Sequence, residues 1–286
     1  MRFRVVALLE VKGITSGYGN TEILHALSFE AKEPGVYVVL GPNGAGKTTL
    51  FRTIAGILEP KLGDILLDGK SILVDKEVRR SINYLSHYNA LPEEMTVYNV
   101  LEFYRNIEGG DVDRVIAALD LSVLRDKKVS DLSQGQKKRV SIAKVFLRDR
   151  GLYLLDEPTT ALDPKVAREI RELVIGLSRD KVVLYSSHNL FEAREVGTYL
   201  ILIKDGSLKI FDRIANVRPR HYRYGIRATS DVSKLVNANL IGGYYVVEVD
   251  SPEDAGKLLK ILVEKGVIVT EMRELDNPLE ELFDQE

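Results

Sequence analysis

The chain has 286 residues, 45% of them apolar, a formal net charge of −2 and no cysteine. At about 100–200 residues per domain, that length holds one large domain and a small one. The near-neutral charge argues against a dominating basic surface, so nucleic acid is not expected as a partner, and the missing thiols exclude disulfides, thiolate metal sites and cysteine nucleophiles.

Arg2 and Arg4 precede an apolar run over 5–9, but Glu10 and Lys12 cut it too short for a secretory signal. No stretch of about 18 apolar residues follows, so transport across a bilayer would require a separate membrane partner. Residues 35–40 read as a short buried strand, and a helix is predicted over 47–55. Further strands are predicted at 64–67, 82–85, 152–155, 182–186 and 199–203, with helical patterns between several of them. That alternation implies a parallel sheet flanked by helices. Asp205-Gly206 between two apolar runs is a hairpin signal. Between 91 and 131 the strand signals lapse, and Val97, Val100, Leu101 and Tyr104 recur at helical spacing, as an inserted helical segment would.

After Arg213 the texture changes. Strands are predicted at 221–228, 244–249 and 267–272, with a helix over 232–238 and another opened by Ser251-Pro252 and stopped by Gly266. A last acidic helix is predicted from Asn277-Pro278. This region reads as a separate small α+β domain.

Three sequence segments carry chemistry. Gly41-Pro-Asn-Gly-Ala-Gly46-Lys47-Thr48 fits the phosphate-binding P-loop pattern and lies between a predicted strand and a predicted helix, as that pattern requires. Its glycines let backbone N–H groups face phosphate oxygens, Lys47 adds a positive charge, and the Thr48 hydroxyl is available to Mg²⁺. The strand at 152–155 ends in Asp156-Glu157-Pro158. Asp156 is placed to hold Mg²⁺, directly or through water, and Glu157 to act as general base on an attacking water. Neighbouring side chains on a strand point opposite ways, so the two acids need not share one task. Leu132-Ser133-Gln134-Gly135-Gln136 opens a helix bearing Lys137, Lys138, Arg139, Lys144 and Arg148; taken alone, that is a capped helix with a charged solvent face. His188 follows the apolar strand at 182–186.

In this order, the phosphate loop, Leu-Ser-Gln-Gly-Gln, Leu-Leu-Asp-Glu-Pro, Ala161-Leu162-Asp163 and Ser187-His188 resemble the Walker A, signature, Walker B, D-loop and switch-histidine elements of the ATP-binding cassette (ABC) ATPases. The resemblance covers residues 8–212. It implies an α/β P-loop core with an antiparallel β subdomain and a helical insertion at about 88–135, giving an ATPase domain at 1–212; the small α+β domain read from the change of texture then occupies 213–286 and resembles the extension found on ATPases of exporter-like ABC systems. It also implies ATP contacts from Gly41, Asn43, Gly44, Ala45, Gly46, Lys47, Thr48 and Thr49, with Tyr18 stacked on adenine.

Two such domains would meet head to tail as a homodimer or heterodimer. Ser133, Gly135 and Asp163 of one would then reach the ATP of the other, and His188 would hold the γ-phosphate. The expected role is the ATP-hydrolysing motor of a transporter, cytoplasmic and peripheral to the membrane through a separate transmembrane permease subunit. Soluble relatives that join two cassettes or insert a long coiled coil are the competing class, and neither feature occurs here. The sequence departs from the family at the third signature position, Gln134, and at His87, where a glutamine that ligates Mg²⁺ is usual. His87 is the expected replacement, with Ser86 or Asn89 as alternatives if the local alignment slips. Tyr88, Leu91, Met95 and Tyr98 are candidates either for docking the membrane partner or for core packing.

Overall fold

The computed structural model describes residues 8–217 and 222–275. The chain divides into two compact units, 1–214 and 215–286. In the first, a hairpin of β1 (Leu9–Tyr18) and β2 (Thr21–Ala31) leads into β3 (Gly35–Leu40) and helix α1 (Lys47–Ile54). Strands β4 (Leu62–Leu67), β5 (Lys70–Ser71) and β6 (Ile82–Leu85) follow, then helices α2 (Val97–Glu108), α3 (Val112–Ala118) and α4 (Gln134–Phe146). Alternation resumes with β7 (Leu152–Asp156), α5 (Pro164–Leu177), β8 (Val182–Ser187), α6 (Leu190–Val196), β9 (Tyr199–Lys204) and β10 (Ser207–Arg213).

These strands form two sheets. One is antiparallel, in the order β2-β1-β4-β5; the other runs β10-β9-β3-β8-β7-β6 and is parallel except for β10. Every residue of β3, β7 and β8 is buried. Such strands have apolar neighbours on both faces, which is why they read as unbroken apolar runs rather than as alternation. The main core joins the two sheets: Leu9, Val11 and Ile14 from β1 and Val39, Leu154, Leu184 and Ile201 from the parallel sheet share one cluster with Leu50, Phe51 and Ile54 of α1. At the hairpin between β9 and β10, Asp205 (φ 51°) and Gly206 (φ 69°) are both left-handed, the geometry of a two-residue type I′ turn.

Register positions the functional loops. Leu40 of β3 lies opposite Ser187 of β8, and Ser186 lies opposite Asp156 of β7. Because these strands are parallel and end level with one another, the segments leaving 40, 156 and 187 emerge side by side. The carboxyl ends of a parallel sheet are where open α/β folds bind ligands. The inserted helices are capped locally. Thr96 accepts from the Asn99 N–H at the start of α2, and Ser133 and Gln136 form a reciprocal capping box on α4.

The second unit contains β11 (Tyr222–Ala228), α7 (Ser233–Val236), β12 (Asn239–Ile241), β13 (Tyr244–Val249), α8 (Pro252–Glu264) and β14 (Val269–Glu274). Its antiparallel sheet has the order β12-β13-β11-β14, so the unit follows the βαββαβ pattern. Ile226, Val232, Val247, Leu262 and Val267 give it a core of its own.

Helix α7 is shorter than the predicted 232–238, because Asn237 turns left-handed (φ 48°) and closes it. Strand β14 begins at Val269, later than the predicted 267, and the acidic helix expected from Asn277 lies outside the described residues. Among the described residues, no helix is long and apolar enough to cross a membrane.

Candidate active site

The glycine-rich loop joins β3 to α1. Gly46 caps α1 with a left-handed backbone (φ 105°), and no side chain accepts from the helix's first N–H groups. Those amides and the positive end of the helix are therefore free to meet an anion. Gly41 permits a close approach: a Cβ there would lie 2.3 Å from the Ile203 carbonyl oxygen. Lys47 is 7% exposed, and its Nζ donates to the carbonyls of Gly41 (2.6 Å) and Pro42 (3.1 Å), so the ammonium lies against the loop. Burial holds it below the ordinary lysine pKa, although the charges of Glu157 and Asp156 oppose that shift.

The two adjacent carboxylates diverge. Asp156, 1% exposed, accepts from the Thr48 hydroxyl at 2.8 Å and from the Ser186 hydroxyl at 2.7 Å. Glu157 leaves the strand in a left-handed conformation (φ 47°) that non-glycine residues seldom adopt. Its N–H donates to Ser186 Oγ at 2.9 Å, so one buried hydroxyl ties the last strand residue to the turn. The separation of the acids thus comes from this turn rather than from continued strand pleating.

The Glu157 carboxylate accepts from the Thr160 hydroxyl at 3.0 Å, and its Oε1 lies 3.3 Å from His188 Nδ1. Burial pushes its pKa up, but the Thr160 and His188 hydrogen bonds and the nearby His188 and Lys47 charges outweigh it and hold the group below the usual range. His87 Nδ1 is 4.0 Å from Glu157 Oε2.

Asn43, Gly44, Gly46, Lys47, Thr48, Thr49 and Glu157 line one cleft of about 260 Å³, joined by Ile23 of β2. Gly41 and Ala45 are buried in the loop that frames it. Tyr18 lies at the end of β1, 42% exposed, with its hydroxyl accepting from Arg52 at 2.9 Å; it is outside the cleft lining. Ser133, Gly135 and Asp163 line a different cavity of about 200 Å³, with Gln136, Arg139 and Leu162. Within one chain, then, the signature and D-loop residues do not share the P-loop cleft. His87 also borders a third cavity, of about 430 Å³, with Tyr88, Leu91, Glu93, Gln134 and Lys137.

Several residues of the site carry no motif. Lys138, which helical spacing alone assigns to a charged solvent face, is 5% exposed. Burial lowers its pKa against the raising effect of Asp156 and Glu157. Ser186, Thr160 and Glu192 likewise belong to no motif and meet only through the fold; the sole signal in the sequence is the nearness of Thr160 to Glu157 and of Ser186 and Glu192 to His188. The donors present suit a hard, oxygen-liganded cation beside phosphates, because Thr48 and Asp156 bring two oxygens together at the cleft. Among the described residues no group of three or more His, Cys, Asp or Glu side chains forms a self-contained metal cage.

Fold and site together define a P-loop nucleoside triphosphatase. The sequence profile of the ABC transporter family matches residues 24–160. The chain is 30% identical to the ABC transporter ATP-binding protein YhcH of Bacillus subtilis, an alignment covering 96% of this chain and 94% of that one. It is 35% identical to the cytochrome c biogenesis ATP-binding export protein CcmA of Brucella abortus, over 63% of this chain and 85% of that one. Among solved structures, an ATP-binding subunit of an ABC transporter superposes with a TM-score of 0.68 at 27% identity, covering 74% of this chain and 92% of the other. The dimeric ATP-binding cassette MJ0796, bound to ADP and Pi, gives a TM-score of 0.65 at 25% identity, covering 72% and 98%.

The chain belongs to the ABC transporter ATP-binding family. It is an ATP-binding, ATP-hydrolysing subunit of that type, a class whose action rests on ATP-driven dimerisation.

Proposed function

We propose that residues 1–212 form the ATPase engine of a transporter, with residues 213–286 as an accessory domain, and that its chemistry is divided as follows. The amides of 43–49 and the Lys47 ammonium hold the ATP phosphates. Thr48 and Asp156 hold Mg²⁺, with His87 near enough to Glu157 to serve at the same side of the site. When bound, Mg²⁺ neutralises phosphate charge that develops during transfer. Glu157 polarises the attacking water, and His188, hydrogen-bonded to it, fixes its orientation. Tyr18 offers its exposed ring to the adenine, with Arg52 keeping the ring in place.

Ser133, Gly135 and Asp163 act on the ATP of a second copy or of a related cassette. The observation that carries this reading is the separation of the two cavities: the phosphate loop and Glu157 line one, the signature and D-loop residues the other. A site completed in trans accounts for both. A separate transmembrane permease docks near the cavity bordered by His87, Tyr88 and Leu91, which places the subunit on the cytoplasmic face of the membrane.

Titrating a fluorescent ATP analogue against Lys47→Ala tests the phosphate assignment. Loss of a buried, charge-assisted contact predicts affinity weakened by about tenfold or more. Affinity equal to that of the unsubstituted protein would remove Lys47 from the site.

A further inference from the structure

Behind the candidate site lies a buried polar cluster that the assigned roles leave unused. Glu192, on α6, is 8% exposed. Its Oε1 accepts from the Tyr185 hydroxyl at 2.5 Å and from the Thr159 hydroxyl, and its Oε2 accepts from the Ser187 hydroxyl at 2.6 Å. Thr159 and Tyr185 are also within 3.2 Å of each other. Cationic compensation is slight: Arg171 of α5 comes only to 4.0 Å of Oε1, and its Nε lies 2.9 Å from Glu195 without hydrogen-bond alignment. A carboxylate withdrawn from water is costly unless its lone pairs are satisfied, and here hydroxyls do most of that.

The positions of those hydroxyls along the chain give the cluster its meaning. Thr159 lies two residues beyond Glu157, in the same turn whose Thr160 hydroxyl donates to the Glu157 carboxylate. Ser187 immediately precedes His188, and its hydroxyl also accepts from the Asn189 N–H at 3.0 Å. Asn189 in turn caps α6 through the N–H groups of Phe191 and Glu192. One carboxylate thus grips the Glu157 turn on one side and the His188 loop on the other. The His188 ring is more than half exposed, and among the described residues its only hydrogen-bond partner is Glu157. Its aim is therefore set by the backbone at 187–189, which Glu192 anchors.

We propose that Glu192 is a positioning residue, whose buried carboxylate sets the 3.3 Å approach of His188 to Glu157 by holding Thr159 and Ser187 at a fixed separation. It does not line the P-loop cleft. The proposal rests on the reading of Glu157 as base and His188 as its partner. Glu192→Gln keeps the shape but removes the charge and one acceptor, so the turn and the loop lose their common tether. A displacement of catalytic groups by about 1 Å costs up to about a hundredfold in rate.

The test is a double-mutant cycle on the full chain, measuring steady-state ATP hydrolysis and nucleotide affinity for the unsubstituted protein, Glu192→Gln, His188→Ala and the double variant. Glu192→Gln is expected to lower kcat by about tenfold to a hundredfold while KM and ATP affinity stay within about threefold. In the His188→Ala background the same change is expected to cost little more, because the group it positions is gone. Multiplicative losses in the two backgrounds would overturn the proposal, since a merely structural carboxylate weakens both proteins alike. Unchanged turnover in His188→Ala would instead overturn the site reading on which the proposal rests. If Glu192→Gln does not fold, Thr159→Val replaces it in the cycle, with the same two outcomes deciding.

Discussion

Replacing Ser186 by alanine probes the joint between the two acids. Ser186 is fully buried, donates to Asp156 at 2.7 Å and accepts the Glu157 N–H at 2.9 Å. Ser186→Ala removes a charge-assisted hydrogen bond, worth about 1.5–3 kcal/mol, and strands the Glu157 N–H, an ordinary bond of about 1 kcal/mol. A loss of about 2.5–4 kcal/mol follows. For a unit of 150–250 residues each kcal/mol moves the melting temperature by about 2–4 °C, so the expected fall is at least about 5 °C. Turnover is expected to fall as well, because the left-handed turn at Glu157 loses its anchor, while ATP affinity is largely kept. Calorimetry and ATP hydrolysis on the same preparation read both quantities. A melting temperature within about 1 °C of the unsubstituted protein, with unchanged turnover, would refute the claim that this hydroxyl holds the carboxylates apart.

Gly41→Ala would force a methyl group to 2.3 Å from the Ile203 carbonyl, so loss of nucleotide binding and a lowered melting temperature are expected; a normal binding isotherm would contradict the close packing. Tyr18→Ala is expected to weaken ATP binding by an amount set by ring stacking, about 1–3 kcal/mol or roughly fivefold to 150-fold, and unchanged affinity would free Tyr18 from the adenine. His87→Gln is expected to keep turnover where His87→Ala loses it, and equal turnover in both would take His87 out of the Mg²⁺ environment. A chain ended at residue 214 is expected to bind ATP as the full chain does, since the second unit has its own core; an insoluble product would deny that independence.

Much of the candidate site is legible in the sequence because its residues are bound to local signals. The P-loop needs glycines between a buried strand and a helix, and the acids at 156–157 stand where an apolar run stops. Parallel strands buried on both faces announce themselves as unbroken runs such as Val182-Val-Leu-Tyr, and Asp205-Gly206 is a turn by its own chemistry. The hairpin β1/β2 was hidden for the opposite reason. Its register shifts repeatedly between Val11 and Gly17, so period-two alternation is broken. Strand β12, three exposed residues long, offers no pattern at all.

The left-handed turn at Glu157 and the link from Glu192 to Thr159 depend on contacts between residues some 30 apart in sequence, brought together by β8 and α6. No local pattern encodes them. Lys138 shows the same limit, because which residues of a basic helix are buried is decided by the sheet that covers them.

The most direct test of a site shared between two cassettes is the oligomeric state of Glu157→Gln in ATP. This variant keeps the Lys47, Thr48 and Asp156 contacts but lacks the proposed base, so bound ATP should persist. Sedimentation velocity with saturating ATP and Mg²⁺ is expected to show a dimer that reverts to monomer with ADP. A protein that binds ATP yet sediments only as a monomer would contradict the account.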